Sequence, residues 1–290
     1  MGQVGRREEG YIPVGAGLRL FYRQIGDGPQ VVLIPSGSWL VGDVDPLVTP
    51  ERTLIFYDTR GRGASDAVTD ASQVQGNYDL EDLERVRQHL GIERMAIIGW
   101  SMNGTTAAHY AASHPERVTR LVMMCPGYMR SEAPYFDANA IADKGNARMP
   151  SGGVERLYEM KESELHITQP EQYCKEHQKV YLVRQMAHPD ALARMRSNPC
   201  QYENEWPRNL IALIQKHSPP GAYDWRAEAA SIQASTLVIH GMEDLIPIES
   251  SQEWAESIPG ARFVTIEGSG HYPHLEAPEV FFEVVDRFLT

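Results

Sequence analysis

Long apolar runs are missing from this 290-residue chain. No stretch approaches the roughly 18 consecutive apolar residues of a membrane span, so no transmembrane helix is expected. Met1 to Gly10 is polar and charged and lacks the apolar centre of a secretory signal. Cysteine is scarce. Cys125, Cys174 and Cys200 are far apart and odd in number, which implies no disulfide framework, and no C-x-x-C metal spacing exists. Basic residues are the minority, 27 Lys and Arg against 39 Asp and Glu, for a formal charge of −12. That balance disfavours nucleic acid and anionic membrane surfaces, whose phosphates would be repelled. The Asn-x-Ser/Thr match Asn103-Gly104-Thr105 falls inside a turn with another use, described below, and reads as accidental. A cytoplasmic protein acting on a small molecule, as a monomer or homodimer, is the expectation.

The first third alternates two periodicities. Leu18 to Gln24, Val31 to Ile34, Thr53 to Tyr57, Met95 to Ile98 and Val118 to Cys125 read as strands, most of them short apolar runs closed by turn residues. Such runs suit strands buried on both faces of a parallel sheet. Leu80, Leu83, Val86 and Leu90 recur at helical spacing with charged residues between them, and Gly91 ends that helix. Gly104 to Ser113 reads as a second helix. Strand and helix in alternation imply right-handed crossovers. From about Tyr128 to Tyr223 no strand-like run stands out, and eight prolines divide a mostly helical segment. The sheet pattern returns with strand Thr236–His240, a helix near Glu249 to Ser257, strand Arg262–Ile266 and a last helix from Pro278 to Leu289.

Gly99-Trp100-Ser101-Met102-Asn103-Gly104 follows a strand and opens a helix. A tight turn there lifts a serine hydroxyl above the sheet edge, at the positive end of a helix, where developing negative charge is stabilised. The usual Gly-x-Ser-x-Gly pattern departs at one position: Asn103 replaces the second Gly, and Gly stands at 104. Asn tolerates unusual backbone angles better than most residues. Downstream come an acid and a histidine in the order such a serine requires. Strand Thr236–His240 runs into Gly241-Met242-Glu243-Asp244, which offers Asp244, with Glu243 as its rival. Strand Arg262–Ile266 leads to Gly268-Ser269-Gly270-His271-Tyr272-Pro273-His274, which offers His271, with His274 as its rival. His271 would take the Ser101 proton while Asp244 holds the other ring nitrogen. Two backbone N–H groups must meet the oxyanion. Met102 supplies one. The other falls in Pro35-Ser36-Gly37-Ser38-Trp39, where Pro35 has no N–H, so Gly37 is chosen and Ser38 is second. Ser38, Trp39, Trp100 and Trp206 are candidate pocket walls. No metal or organic cofactor is expected, since a serine triad needs none.

Tyr57-Asp58-Thr59-Arg60-Gly61-Arg62-Gly63-Ala64-Ser65, the helix Glu81 to Gly91 and the ending Gly270-His271-Tyr272-Pro273-His274-Leu275-Glu276-Ala277-Pro278-Glu279 together resemble the α/β-hydrolase superfamily, in its proline iminopeptidase and esterase branch. The resemblance covers about residues 15–127 and 224–290. It implies an α/β-hydrolase fold, with a mostly parallel central sheet flanked by helices and a helical cap inserted after the sixth strand. Residues 1–127 and 224–290 would form the core and residues 128–223 the cap. Asp58, Arg60 and Arg62 read as loop-structuring residues. Serine at 101, where dehalogenases and epoxide hydrolases of this fold carry Asp, argues against both activities. Pro35-Ser36-Gly37 stands where the branch often has His-Gly, which sets the chain apart from a specific iminopeptidase. An aminopeptidase must also neutralise a substrate ammonium, for which Glu203 and Glu205 beside Trp206 are the candidates. Cleavage of an ester, lactone or small amide is the preferred reading, with an iminopeptidase-like activity or carbon–carbon bond hydrolysis behind it. A ligand-binding module on the same fold is the non-enzymatic alternative.

Overall fold

The structure, a computed structural model, describes residues 7–202 and 222–290. Eight strands form one sheet: β1 (Arg7–Pro13), β2 (Arg19–Ile25), β3 (Gln30–Pro35), β4 (Arg52–Tyr57), β5 (Met95–Trp100), β6 (Val118–Met124), β7 (Ser235–Gly241) and β8 (Arg262–Ile266). Their spatial order is β1-β2-β4-β3-β5-β6-β7-β8. The first two strands pair antiparallel and β2 meets β4 antiparallel; every later pairing is parallel. The expected strands each match one of these within two residues. The edge strand β1 was not anticipated, because Arg7-Glu8-Glu9-Gly10-Tyr11-Ile12-Pro13 buries little beyond Ile12. Charge along a sheet edge is how edges resist further pairing, and it also erases the apolar alternation that signals a strand.

The central strands are apolar on both sides, and the period of two divides them between two cores. Leu33, Ile55 and Ile97 pack with Leu83 and Val86 of α1 (Tyr78–His89) and with Ala107, Ala108 and Ala111 of α2 (Met102–Ser113). Val32, Ile34, Leu54, Phe56 and Ile98 face the opposite way, toward Phe281, Val285, Phe288 and Leu289 of the C-terminal helix (Pro278–Leu289). Each fully buried side chain of this kind contributes about 1.5–3 kcal/mol relative to exposure.

Between β6 and β7 the described residues contain helices and no strand. They form α3 (Ala138–Asn146), α4 (Gly153–Glu162) and α5 (Pro170–Tyr181), one-turn helices at Leu165–Thr168 and Arg226–Ala229, and 3-10 segments at Val183–Gln185, Pro189–Arg194 and Pro199–Gln201. One cysteine expectation is corrected here. Cys174 on α5 and Cys200 in the last of these 3-10 segments are joined by a disulfide, with Cα atoms 5.6 Å apart, and Cys125 stays free and buried. The two are 26 residues apart in sequence, and only the packing of the helical segment brings them together. Disulfides persist mainly in oxidising compartments, so the cysteines do not speak for a reducing one. Among the described residues no helix is long and apolar enough to cross a membrane.

The charged pattern of α1 is also explained by packing. Arg60 makes a two-pronged ion pair with Asp82, at 2.6 and 2.7 Å, with both side chains buried. Glu84 accepts from Arg87, Gln88 and the Tyr110 hydroxyl. Hydrogen bonding to Arg87 first, and to Tyr110 and Gln88 after it, holds the Glu84 carboxyl down at about 2. A carboxyl with a depressed folded-state pKa stabilises the fold above its unfolded value, near 4.3, and loses that contribution as the pH falls toward the folded value. Glu84→Gln is therefore expected to lower the thermal midpoint by about 3 °C at pH 7. The gap to the parent should close between about pH 4 and pH 2, and a gap that stays constant over that range would refute the assignment.

Candidate active site

Chain order reverses at the β3–β5 pair: from β3 the chain moves outward to β4, then crosses back to β5 on the other side. Crevices open at the carboxyl ends of strands at such a point. The segment after β3 is Ser36 to Trp39, and the residue after β5 is Ser101, so both sequence candidates flank the crevice.

Ser101 stands between β5 and α2 with φ 55° and ψ −127°. Such a backbone costs a non-glycine residue about 1–3 kcal/mol and persists only where the surroundings fix it. Here Ser101 donates its N–H to Met124 O at 2.9 Å and accepts from Gly104 N at 2.9 Å. A Cβ on Gly99 would lie 2.4 Å from Asn103 O and 2.5 Å from the Gly104 Cα. The two glycines that matter for the turn are therefore Gly99 and Gly104. Asn103 is an ordinary helical residue, not one at an unusual backbone angle. Its side-chain amide donates to the Ser36 hydroxyl and ties the turn to the loop after β3.

His271 and Asp244 are joined Nδ1 to Oδ2 at 2.8 Å. Burial opposes ionisation of Asp244, but the charge of His271 and its hydrogen bond outweigh that cost, and the carboxyl titrates below its ordinary range. The other carboxylate oxygen accepts the Ile246 N–H at 3.1 Å. The His271 backbone is pinned as well: its N–H donates to Gln185 O, and its carbonyl accepts from the Trp100 indole, both at 2.9 Å. The rivals lie elsewhere. Glu243 is exposed. His274 is buried among Trp100, Tyr272 and Phe281, with no hydrogen-bond partner at either ring nitrogen. Burial first, and the His271 charge second, hold its pKa down at about 3, so it stays neutral.

A cavity of about 340 Å³ brings Ser101 and His271 together, lined also by Trp39, Trp100, Met102, Arg62, Tyr181 and Gln185 among others. Ser38 lines it too, but its N–H and hydroxyl both donate to Asp58 Oδ1 at 2.8 Å. Ser36 N–H goes to Tyr57 O and Trp39 N–H to Ser36 O. Gly37 opens a one-turn helix and Met102 opens α2. First-turn N–H groups have no intrahelical acceptor, which leaves these two for a ligand. Gly37 lines a smaller space beside the main cavity, about 20 Å³, which shares Ser38 and Asp58 with it. Trp206, Glu203 and Glu205 lie outside the described residues.

Asp58 and Arg60 are the loop-structuring residues expected: Asp58 also accepts from Ala64 N, and Arg60 holds Asp82. Asp58 also lines the cavity, and so does Arg62. Sequence reasoning also passed over Tyr181, Leu182 and Gln185, since nothing in a helical repeat marks which residue faces a distant serine. It passed over Glu276 for another reason. That buried carboxylate accepts the N–H of Gly270 at 2.7 Å and of His188 at 2.9 Å, so it holds the loop that carries His271. Among the described residues one cluster, Cys125, Asp244 and His271, is compact enough for a metal ion. The Asp244–His271 bond already uses two of its atoms, and burial, with the Asp244 charge next, keeps the Cys125 thiol protonated.

A family model for the alpha/beta hydrolase fold matches residues 34–278, and the chain belongs to that family. A 2-hydroxy-6-oxo-6-phenylhexa-2,4-dienoate hydrolase of Comamonas testosteroni is 25% identical over 278 residues, 93% of this chain and 91% of the relative. Among solved structures, an alpha/beta fold family hydrolase of Bacillus anthracis superposes with a TM-score of 0.72 at 18% identity, over 97% of this chain and 99% of its own. A proline iminopeptidase of Mycobacterium smegmatis gives 0.63 at 20% identity, over 97% of each chain. The two structures share the fold.

Glu276 yields a test of how the site is held. Glu276→Gln is expected to slow labelling of Ser101 by an organophosphonate about tenfold, the effect of weakening one charge-assisted hydrogen bond. The thermal midpoint should move by only a few degrees. Unchanged labelling would remove Glu276 from the positioning of His271.

Proposed function

We propose that the chain is a serine hydrolase with Ser101 as nucleophile, His271 as general base and Asp244 as the orienting acid, and that it cleaves a small-molecule ester, lactone or amide. The observation that carries this reading is the shared cavity: Ser101 in its strained turn and His271, already bound to Asp244, line one space. His271 takes the Ser101 proton as Oγ adds to the carbonyl carbon. The N–H groups of Met102 and Gly37 receive the oxyanion. The leaving alcohol or amine departs with the proton from His271, and water, deprotonated by the same imidazole, then releases the acid from Ser101. No step requires a metal.

We further propose that residues 128–223 form a cap over the site, with residues 1–127 and 224–290 as the core. Tyr181, Leu182 and Gln185 of this segment line the cavity, and its Gln185 and His188 bond to His271 and Glu276. Those contacts support a role in excluding water and choosing substrates. A second reading, carbon–carbon bond hydrolysis, is supported by the curated relatives named for it. A vinylogous 1,5-diketone would then replace the ester, with a carbanionic leaving group in place of the alcohol.

Ser101→Ala and His271→Ala are each expected to cut kcat by at least about 10³-fold with the fold intact, because such residues act as a unit. Asp244→Asn should also be severe, since the amide permits the wrong imidazole tautomer, whereas Glu243→Gln should stay within about twofold. Near-normal turnover by Ser101→Ala would refute the mechanism. A panel of p-nitrophenyl esters, lactones, prolyl anilides and a dienoate ketone, assayed on the purified chain, separates the substrate classes by kcat/KM. Ester or lactone turnover is expected to lead, and a dominant ketone signal would move the assignment to the second reading.

A further inference from the structure

A second cavity stands behind the triad acid. It is about 270 Å³, lined by Ala140, Ile141 and Lys144 of α3, by His240 and Met242, and by Asp244 to Ile248. It shares no lining residue with the cavity that holds Ser101. The Asp244–His271 pair is the partition: His271 faces the catalytic side and Asp244 the rear side. Mechanistically the rear space is idle, since no step of the proposed hydrolysis passes through it.

Its chemistry is specific. Most of the wall is apolar, from Ile141, Met242 and Leu245 to Ile248; its polar members are Lys144, the His240 ring, already bonded to Ser251, and Asp244, whose carboxylate is already bonded to His271 and the Ile246 N–H. Lys144 Nζ donates to the Asp244 backbone oxygen at 2.7 Å. An ammonium has three donors, so this bond leaves capacity for an anion. Lys144 is an exposed residue, but its ammonium is partly desolvated; that desolvation first, and the charge of Arg148 after it, make the ammonium harder to keep, while Glu243 and Asp244 oppose the shift. An anionic group would relieve the same cost. The volume lies just under the range of about 300–1,000 Å³ usual for drug-sized ligands, so the occupant is small. We propose that this rear cavity binds a small monocarboxylate with an apolar tail, its carboxylate on Lys144 and its tail against Ile141, Leu245 and Ile246.

Occupancy would reach the triad through bonds already described. Two hydrogen bonds to Asp244 come from residues of this cavity: Lys144 to its carbonyl and the Ile246 N–H to its carboxylate. A ligand that draws Lys144 away or presses on Ile246 alters how Asp244 holds His271. The expected signature is a change in kcat with KM unaffected, since the ligand does not compete for the Ser101 side. This coupling rests on the proposed triad; the binding does not.

The test is calorimetric titration of hexanoate into the full chain, before and after Ser101 is capped with an organophosphonate. Binding to both forms is expected, weakened at least about tenfold by Lys144→Met and, with the same tail and no charge, for hexanol. Ile141→Trp, which fills the cavity while keeping Lys144, should abolish it. Absence of heat with the parent chain, loss of binding on capping Ser101, or indifference to both Lys144→Met and Ile141→Trp would each overturn the site. Binding that behaves as expected, with no change in kcat at saturation, would overturn the coupling. Failure of Ser101 to react with the phosphonate counts against the triad alone, because the titrations of the uncapped variants still decide the rear site.

Discussion

Everything at the site depends on how closely strand β5 and helix α2 approach at Ser101. Gly99 and Gly104 have no side chains, and the space a Cβ would need at Gly99 is filled by the helix backbone. That contact forces the chain from strand to helix within one residue. Ser101 absorbs the change at φ 55°, a conformation that an isolated serine would leave. The sheet pays the strain: β5 lies between two parallel neighbours and is buried along its whole length.

The same device recurs along the crevice. Ser36 after β3 and Cys125 after β6 also have positive φ, at 83° and 47°. Adjacent parallel strands thus end in sharp, side-chain-bearing turns, and strain of this kind collects where geometry serves a function. Asp58, at the end of β4, fixes the first of these turns by taking both donors of Ser38. Ser36 is bonded in turn to Asn103, so the loop after β3 and the turn at Ser101 are held as one unit.

The helical segment between β6 and β7 is held from several directions to the segments after β7 and β8 that carry Asp244 and His271. Glu276 clasps His188 and Gly270, Gln185 takes the His271 N–H, and Lys144 and Arg148 bond to the carbonyls of Asp244 and Glu243. The disulfide between Cys174 and Cys200 closes the segment on itself. Movement of this segment and alignment of the histidine are therefore mechanically linked, because the same backbone groups serve both.

Local pattern was enough to place most of the sheet. Val31–Ile34, Thr53–Tyr57 and Met95–Ile98 are short, apolar and closed by turn residues, and such segments have little choice but to be buried strands. The order of Ser101, Asp244 and His271, each just past a strand end, was equally legible, since parallel strands deliver such residues to one edge of the sheet. Other features required the folded chain. β1 was hidden because an edge strand need bury only one side chain. The pairing of Cys174 with Cys200, the clasp of Glu276 and the cavity faces of Arg62, Tyr181 and Gln185 are contacts between segments far apart in sequence, and no local periodicity encodes them. The choice of His271 over His274 shows the division most clearly. Three residues apart, they offer the same ring, and only burial and the position of Asp244 decide that one is bonded to an acid and shares a cavity with Ser101 while the other is sealed, neutral, in the core.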